Sequence, residues 1–276
     1  VRAVRVEGHG HGAGLGALLI ASRPHHDPVA ILYSQASFRT QWLEAVLASP
    51  TPWTERSSET EWHFAPPHRT AREAAARALS ATGTQPRWLT SDRIEAGALR
   101  GPAAPRLLVL PETTALSDRE AAEIRAFAAR GGRIWAIGAP GRYDGRSRRL
   151  AGPQLARLAP ASALSADKPP LPPPAIRVTG SDAVESRILR NGAVWIVGLQ
   201  RRADTPADAG AEITLTPPRG HTATDLRSNA RLAAGADGTI RLTLAGHQPR
   251  IVALAPAATR LTLAAPDRAR RGEVVT

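Results

Sequence analysis

The chain contains no cysteine. That excludes disulfides, thiolate nucleophiles and cysteine metal sites. Methionine is absent too, at position 1 as elsewhere, and the expectation is that these 276 residues were cut from something longer. Aromatic residues make up only 4%. Lysine is nearly missing: Lys168 is the single lysine among 36 basic residues, so the formal charge of +12 is carried by arginine. A basic chain raises the question of nucleic acid. These arginines are scattered, however, whereas nucleic-acid binders cluster basic side chains and interleave stacking rings. GC-rich coding, which favours arginine, alanine, glycine and proline together, accounts for the pattern, and no nucleic-acid partner is expected. No apolar run reaches 18 residues, so no membrane-spanning helix is expected. Val1 to His11 is basic and rich in glycine and histidine, with no apolar core of a secretory signal. The compartment is not written in the sequence; cytoplasm is favoured.

What is present is enough apolar residue, 42%, to bury a core. Residues 12–22 read as the tail of a helix that began upstream. Val29 to Tyr33 is a short, continuous apolar run, as in a strand buried on both faces. Apolar residues at 38, 42, 43, 46 and 47 have helical spacing. His68 to Ala81, rich in alanine and arginine, predicts a second helix that stops near Gly83. Trp88 to Thr90 reads as a short strand and Arg106 to Leu110 as another apolar one. Ser117-Asp118-Arg119-Glu120 is a capping box, and it opens a helix that runs to Arg130. Gly131-Gly132 ends that helix, since glycine takes the left-handed C-cap without penalty. Arg133 to Ile137 follows as a strand. Helices alternating with buried strands predict an α/β domain, a flavodoxin-like open parallel sheet.

Pro169 to Pro174 then reads as a stiff, extended linker. Beyond it the signal changes to short β runs: 184–189, 193–198, 212–216, 239–244 and 250–254. Asn191-Gly192 and Asp237-Gly238 are turn pairs favoured in hairpins. Ile240, Leu242 and Leu244 alternate with polar residues, as in a half-buried strand. A small antiparallel β-sandwich is expected. The division is therefore 1–27 as the tail of an upstream region, 28–160 as the α/β domain, 161–175 as linker, 176–256 as the β domain, and 257–276 as the start of a further Ig-like segment.

The run Val29-Ala-Ile-Leu-Tyr-Ser34, then Leu107-Leu-Val-Leu-Pro111, Leu116-Ser-Asp118 and Ile124-Arg-Ala-Phe-Ala-Ala-Arg-Gly-Gly-Arg133 resembles the trimerisation domain of bacterial family 42 β-galactosidases. That domain is similar to a class I glutamine amidotransferase fold stripped of its catalytic residues. The resemblance covers roughly residues 12–255, with the small β domain matching 176–255. It implies a non-catalytic oligomerisation and support region, a homo-oligomer (a trimer), and a catalytic (β/α)₈ barrel of about 250 residues upstream of Val1. Carbohydrate then enters through the parent enzyme, a glycoside hydrolase. The two carboxylates such hydrolysis needs belong to the barrel and map onto no residue here. The alternative is a stand-alone carbohydrate-binding or scaffolding module.

Candidate chemistry is sparse. Glutamine hydrolysis needs a cysteine activated by histidine, and no cysteine exists. Gly8-His9-Gly10-His11-Gly12 and His25-His26 have the residue type of a metal site but no carboxylate at matching distance, so neither a metal nor any cofactor is assigned. Gly12, Gly14 and Gly16 fit neither phosphate-loop spacing and read as small-residue helix packing. Ser34, Gln35 and Ser37, with Pro111, Glu112 and Gly138, fall at the carboxyl ends of three strands. Open α/β sheets bind ligands there, so these residues form a candidate vestigial pocket or partner surface. The competing reading is loop chemistry, with Ser37 capping a helix. Tyr143 and Asp144, in a glycine-bounded turn, are candidates for contact with a neighbouring barrel or subunit. Of Trp42, Trp53 and Trp62, one is expected to anchor an interface.

Overall fold

The computed structural model describes residues 14–48, 55, 65–156, 158, 164–181, 183–206 and 210–257. The chain divides into two compact units. One comprises His26–Leu79 with Pro86–Pro173. The other comprises the described parts of Val1–His25, Ser80–Gln85 and Pro174–Thr276. Trp53, Trp62, the Gly8–Gly12 motif and the expected segment from 258 onward lie outside the described residues.

In chain order the elements are α1 (Leu15–Ile20), β1 (Arg23–Pro24), β2 (Val29–Tyr33), α2 (Gln35–Ala48), α3 (Pro67–Ser80), β3 (Arg87–Thr90), α4 (Ser91–Glu95), β4 (Leu107–Pro111), β5 (Ala115–Leu116), α5 (Asp118–Ala129), β6 (Arg133–Ile137), β7 (Tyr143–Asp144) and β8 (Leu164–Ser165). The second unit continues with β9 (Arg177–Thr179), β10 (Val184–Asn191), β11 (Val194–Arg201), β12 (Ala211–Thr216), β13 (His221–Asp225), β14 (Ala230–Leu232), β15 (Ile240–Leu244) and β16 (Arg250–Pro256).

The first unit is built on a five-stranded parallel sheet in the order β3-β2-β4-β6-β8. Strands β2 and β4 carry no charged residue, and β6 carries only Arg133 at its start, because both faces of the sheet are covered. Ala30, Leu32, Leu108, Leu110, Ile134 and Ala136 point into one cluster, with Ile94 of α4 and Ile124 and Phe127 of α5. The intervening Val29, Ile31, Leu107, Val109 and Trp135 point the other way, to Ala75 and Leu79 of α3. Period-2 alternation therefore supplies two cores from one sheet. Each fully buried leucine or isoleucine contributes roughly 1.5–3 kcal/mol by leaving water.

Helix α5 shows how local sequence fixes these boundaries. The Ser117 hydroxyl accepts the Glu120 N–H at 3.0 Å, and the Glu120 carboxylate accepts the Ser117 N–H at 2.8 Å. Two otherwise orphaned donors at the N-terminus are satisfied reciprocally. Burial raises the Glu120 pKa above its ordinary value, against the lowering effect of the Ser117 N–H. At the other end Gly131 takes φ 88°, and Gly132 N–H donates to the Phe127 carbonyl at 3.0 Å.

Helix α2 departs from the sequence expectation. It starts at Gln35, not Phe38, and its buried residues are the polar Ser37, Thr40 and Gln41. Leu43 and Leu47, counted toward an apolar face, are 37% and 78% exposed. The physical reason is position: α2 contacts β5, beside the polar carboxyl ends of the strands, so its inward face carries hydrogen-bonding groups.

The second unit holds a six-stranded antiparallel sheet, β1-β10-β11-β16-β13-β14, and a three-stranded one, β15-β12-β9. Ile213, Leu215, Ile240, Leu242 and Leu244 from the smaller sheet share a cluster with Ile188, Val197, Leu199, Val252 and Leu254 from the larger. Ile196 and Ala253 face the other way and meet Leu15, Leu18 and Leu19 of α1. The described part of residues 12–22, expected to be the tail of an upstream helix, instead gives α1, which packs on this sheet; β1 follows it and joins the sheet's edge. Asn191 pairs with Val194 across a two-residue hairpin loop with Gly192 at φ 57°. Asp237-Gly238 makes a turn but not a hairpin: it joins β14 to β15, strands of different sheets. Asp225 is held as a carboxylate in this unit. Burial pushes its pKa up, but bonds from Arg250 (2.7 Å) and the Arg227 and Ser228 N–H groups outweigh that, so it lies below the usual range.

Candidate functional site

The carboxyl ends of β2 and β4 meet the start of α3 in a buried polar network. Ser34 follows β2 and caps α2: its Oγ accepts the Ser37 N–H at 3.1 Å, and its carbonyl accepts the Phe38 N–H. The cap is Ser34, whereas the sequence suggested Ser37. The Ser37 hydroxyl reaches across to β5, donating to the Ala115 carbonyl and accepting the Ala115 N–H, both at 3.1 Å. With that proton committed, Ser34 Oγ donates to Ser37 Oγ at 2.8 Å.

His68 is the centre of the network and is fully buried. Its Nδ1 lies 2.5 Å from the Pro111 carbonyl and its Nε2 3.3 Å from the Ser34 backbone nitrogen. A carbonyl only accepts and a backbone N–H only donates. The ring is therefore the neutral Nδ1–H tautomer, with both nitrogens occupied. Burial lowers its pKa from 6.5 to about 4, against the raising effect of the Pro111 carbonyl and with the help of nearby Arg72. Gln41 completes the connection. Its Oε1 accepts the His68 N–H at 2.8 Å, an orphan donor in the first turn of α3, and its Nε2 donates to the Glu112 carbonyl at 3.1 Å. Above lies Tyr33, 39% exposed, with its ring edge-on to His68 at 6.4 Å and the Arg72 guanidinium 4.6 Å from its centroid.

Glu112 stands at the corner where the chain leaves β4, with φ 40°, left-handed for a non-glycine residue. Gln41 grips its carbonyl, and its N–H donates to Ile137 at 2.7 Å, so the surroundings hold the strained corner. Gly138 faces it at φ 81°, and a Cβ there would fall about 2.4 Å from the Glu112 carboxylate. Glycine is needed for conformation and for space. Tyr143 and Asp144 form β7, pairing in parallel with Ala115 and Leu116. Both are partly buried rather than exposed. Tyr143 Oη donates to Glu44 of α2, a bond that raises its pKa. Asp144 Oδ1 accepts the N–H groups of Arg148 and Arg146, which lower its pKa and fold the loop back on itself. Arg39 and Thr40 of α2 tie down Gly145 and Ser147 of the same loop.

The structure thus gathers Ser34, Ser37, Pro111, Glu112 and Gly138 at one rim, joined through β5 to Tyr143 and Asp144, while Gln35 is exposed at the head of α2. Sequence reasoning missed His68 and Gln41, the two residues that connect the rim. Pro66-Pro67-His68 carried a usable signal: proline at the first helical position sets a histidine in the first turn, where N–H groups need partners. Chemically, the arrangement positions backbone. His68 has no free nitrogen, and Ser34 and Ser37 spend their protons inside the protein. Among the described residues, no group of three or more histidines and carboxylates is placed to hold a metal ion. His25 packs edge-on against Trp195 at 4.9 Å, and His26 Nδ1 lies 3.2 Å from the Pro86 carbonyl. No described helix is long and apolar enough to cross a membrane.

No family model matches the chain, and no curated protein matches it in sequence. Solved structures do. Gan42B, a GH42 β-galactosidase from G. stearothermophilus, superposes with a TM-score of 0.52 at 12% identity, over 83% of this chain and 40% of its own. The fold is GH42-like. The cold-adapted β-galactosidase from Rahnella sp. R3 gives 0.51 at 16% identity, over 87% and 43%. The GH42 exo-carrageenase from Bacteroides ovatus gives 0.50 at 10% identity, over 84% and 29%. The chain therefore spans less than half the length of each of these GH42 proteins, and the likeness at such identities is one of fold.

Proposed function

We propose that this chain is a non-catalytic oligomerisation and support region of a β-galactosidase-like glycoside hydrolase whose catalytic barrel lies outside it. In this reading residues 28–160 form a flavodoxin-like, amidotransferase-like trimerisation domain. Residues 176–256 form a β-sandwich, while the stretch 161–175, expected as a linker, supplies β8 to the parallel sheet and belongs to the first unit as far as Pro173. The strand order of the parallel sheet supports the first assignment: numbered along the chain, it runs 2-1-3-4-5, the flavodoxin order. One apolar cluster shared by two antiparallel sheets supports the second. The GH42-like fold supports the parent family. Its spread over both a galactosidase and a carrageenase leaves the sugar to the barrel.

The observation that carries the proposal is the rim. Doubly wound sheets bind substrate at the carboxyl ends of their strands. Here that position is filled by Ser34, Ser37, Gln41 and His68, bonded to one another and to backbone. A site used for catalysis holds its acid or base ready for substrate; this one has turned its groups inward to fix three elements. Incubating the purified chain with a nitrophenyl β-galactoside tests the reading, and release at the buffer rate is expected. Turnover that tracks the protein through purification would overturn it. Saturable binding of galacto-oligosaccharides by the chain, without turnover, would favour a carbohydrate-binding module instead.

A further inference from the structure

The opposite end of the parallel sheet is built differently. A cavity of about 530 Å³ opens at the amino ends of β4 and β6. Arg106, Arg130 and Arg133 line it, with Leu99 and Phe127 as the apolar part of its wall. Among the described residues, no acidic side chain lines it. The remaining wall is small residues, including Ala104 and Gly131, so a ligand can approach the backbone closely. Among the described residues none of the three guanidinium groups forms an ion pair. Arg130 makes one hydrogen bond, to the Leu99 carbonyl at 3.1 Å, which orients it across the cavity wall. The contrast with Arg100 is instructive. It lies next to Leu99, and it is paired with Glu123, the acid within reach.

Three guanidinium groups lining one cavity give it a positive potential that favours an anion. The C-terminus of α5 also faces this region, and its dipole disfavours an anion by about half a charge. Two facts reduce that opposition. The Ala126, Phe127 and Ala128 carbonyls already accept the N–H groups of Arg130, Gly132 and Gly131. Three full positive charges also outweigh the residual. Guanidinium groups match the oxygens of phosphate and sulfate in pairs. The volume lies in the range of small-molecule sites, with room for an organic body behind the anion.

We infer that this cavity is a binding site for a small oxyanionic ligand, a phosphate or sulfate group, free or carried as an ester. Titration calorimetry of the full chain at low salt tests it, with pyrophosphate, glucose 6-phosphate and neutral glucose as probes. Saturable binding of at least one anionic probe and none of glucose is expected. Tighter glucose 6-phosphate assigns the site to an ester, and tighter pyrophosphate to the free anion. An Arg106→Gln/Arg133→Gln double variant should bind at least about tenfold more weakly. Arg231→Gln/Arg241→Gln removes the same charge from exposed positions in the other unit and should change affinity less than about twofold. Ala104→Glu keeps every arginine but sets a carboxylate among them, and should abolish binding. Absence of saturation in the wild type, or equal weakening by the two double variants, would overturn the site: the first denies binding, and the second reduces it to general attraction by a basic chain.

Discussion

The two ends of the parallel sheet spend their polar groups in opposite ways. At the carboxyl end, Ser34, Ser37, Gln41 and His68 are buried and bonded to each other and to backbone. At the amino end, Arg106, Arg130 and Arg133 line an open cavity with no acidic side chain among its described lining residues. One fold offers both places, and only the chemistry of the residues says which is closed by structure and which is left for a ligand. Burial explains why nearly every polar group at the closed end is paired. An unpaired polar group there costs about 1–3 kcal/mol, whereas an exposed arginine stays hydrated.

That contrast can be broken by mutation. The largest effect belongs to His68→Ala, which strands the Pro111 carbonyl and the Ser34 N–H and leaves a void. Denaturant unfolding should show a loss of about 3–4 kcal/mol. Acid should act on the same residue. In the unfolded chain histidine takes a proton near pH 6.5, and in the folded chain not until about pH 4. Between those values the unfolded state binds more protons, so stability falls as pH falls through this window, by about 3 kcal/mol in total. The advantage of wild type over His68→Gln should shrink accordingly, and an advantage independent of pH would refute the neutral, buried ring. Gln41→Leu orphans the His68 N–H and the Glu112 carbonyl, and should cost about 2 kcal/mol in the same unfolding experiment. At the open end, Arg106→Gln, Arg130→Gln or Arg133→Gln should each shift stability by less than about 0.5 kcal/mol. The smallest effect sharpens the comparison from within the rim. Thr114 Oγ1 is buried with no hydrogen-bond partner among the described residues, so Thr114→Val should be neutral or raise Tm slightly.

Much of the fold was legible where the signal is local. The Ser117–Glu120 capping box, Gly131-Gly132 and the Arg133–Ile137 strand are each settled within a few residues, and the structure has them as read. The hairpin signalled by Asn191-Gly192 was equally plain, although its two loop residues are Gly192 and Ala193. Asp237-Gly238 carries the same local signal, yet its flanking strands enter different sheets, which no pair of turn residues specifies. Helix α2 was found but faced wrongly. Apolar spacing assumes an apolar destination, and α2 packs its polar side on the rim. The rim residues of the strands were legible from their place at strand ends. His68 and Gln41 were not, because their partners lie 27 to 71 residues away in sequence. The arginine cavity was hidden for a similar reason: Arg106 reaches Arg130 and Arg133 only when β4 pairs with β6.

Assembly rather than catalysis is the role proposed for the chain. Light scattering on the purified chain, coupled to size exclusion, measures that directly. The predicted result is a closed homo-oligomer, with a trimer at three times the 29.2 kDa chain mass. A single species of 29.2 kDa at every concentration would contradict it.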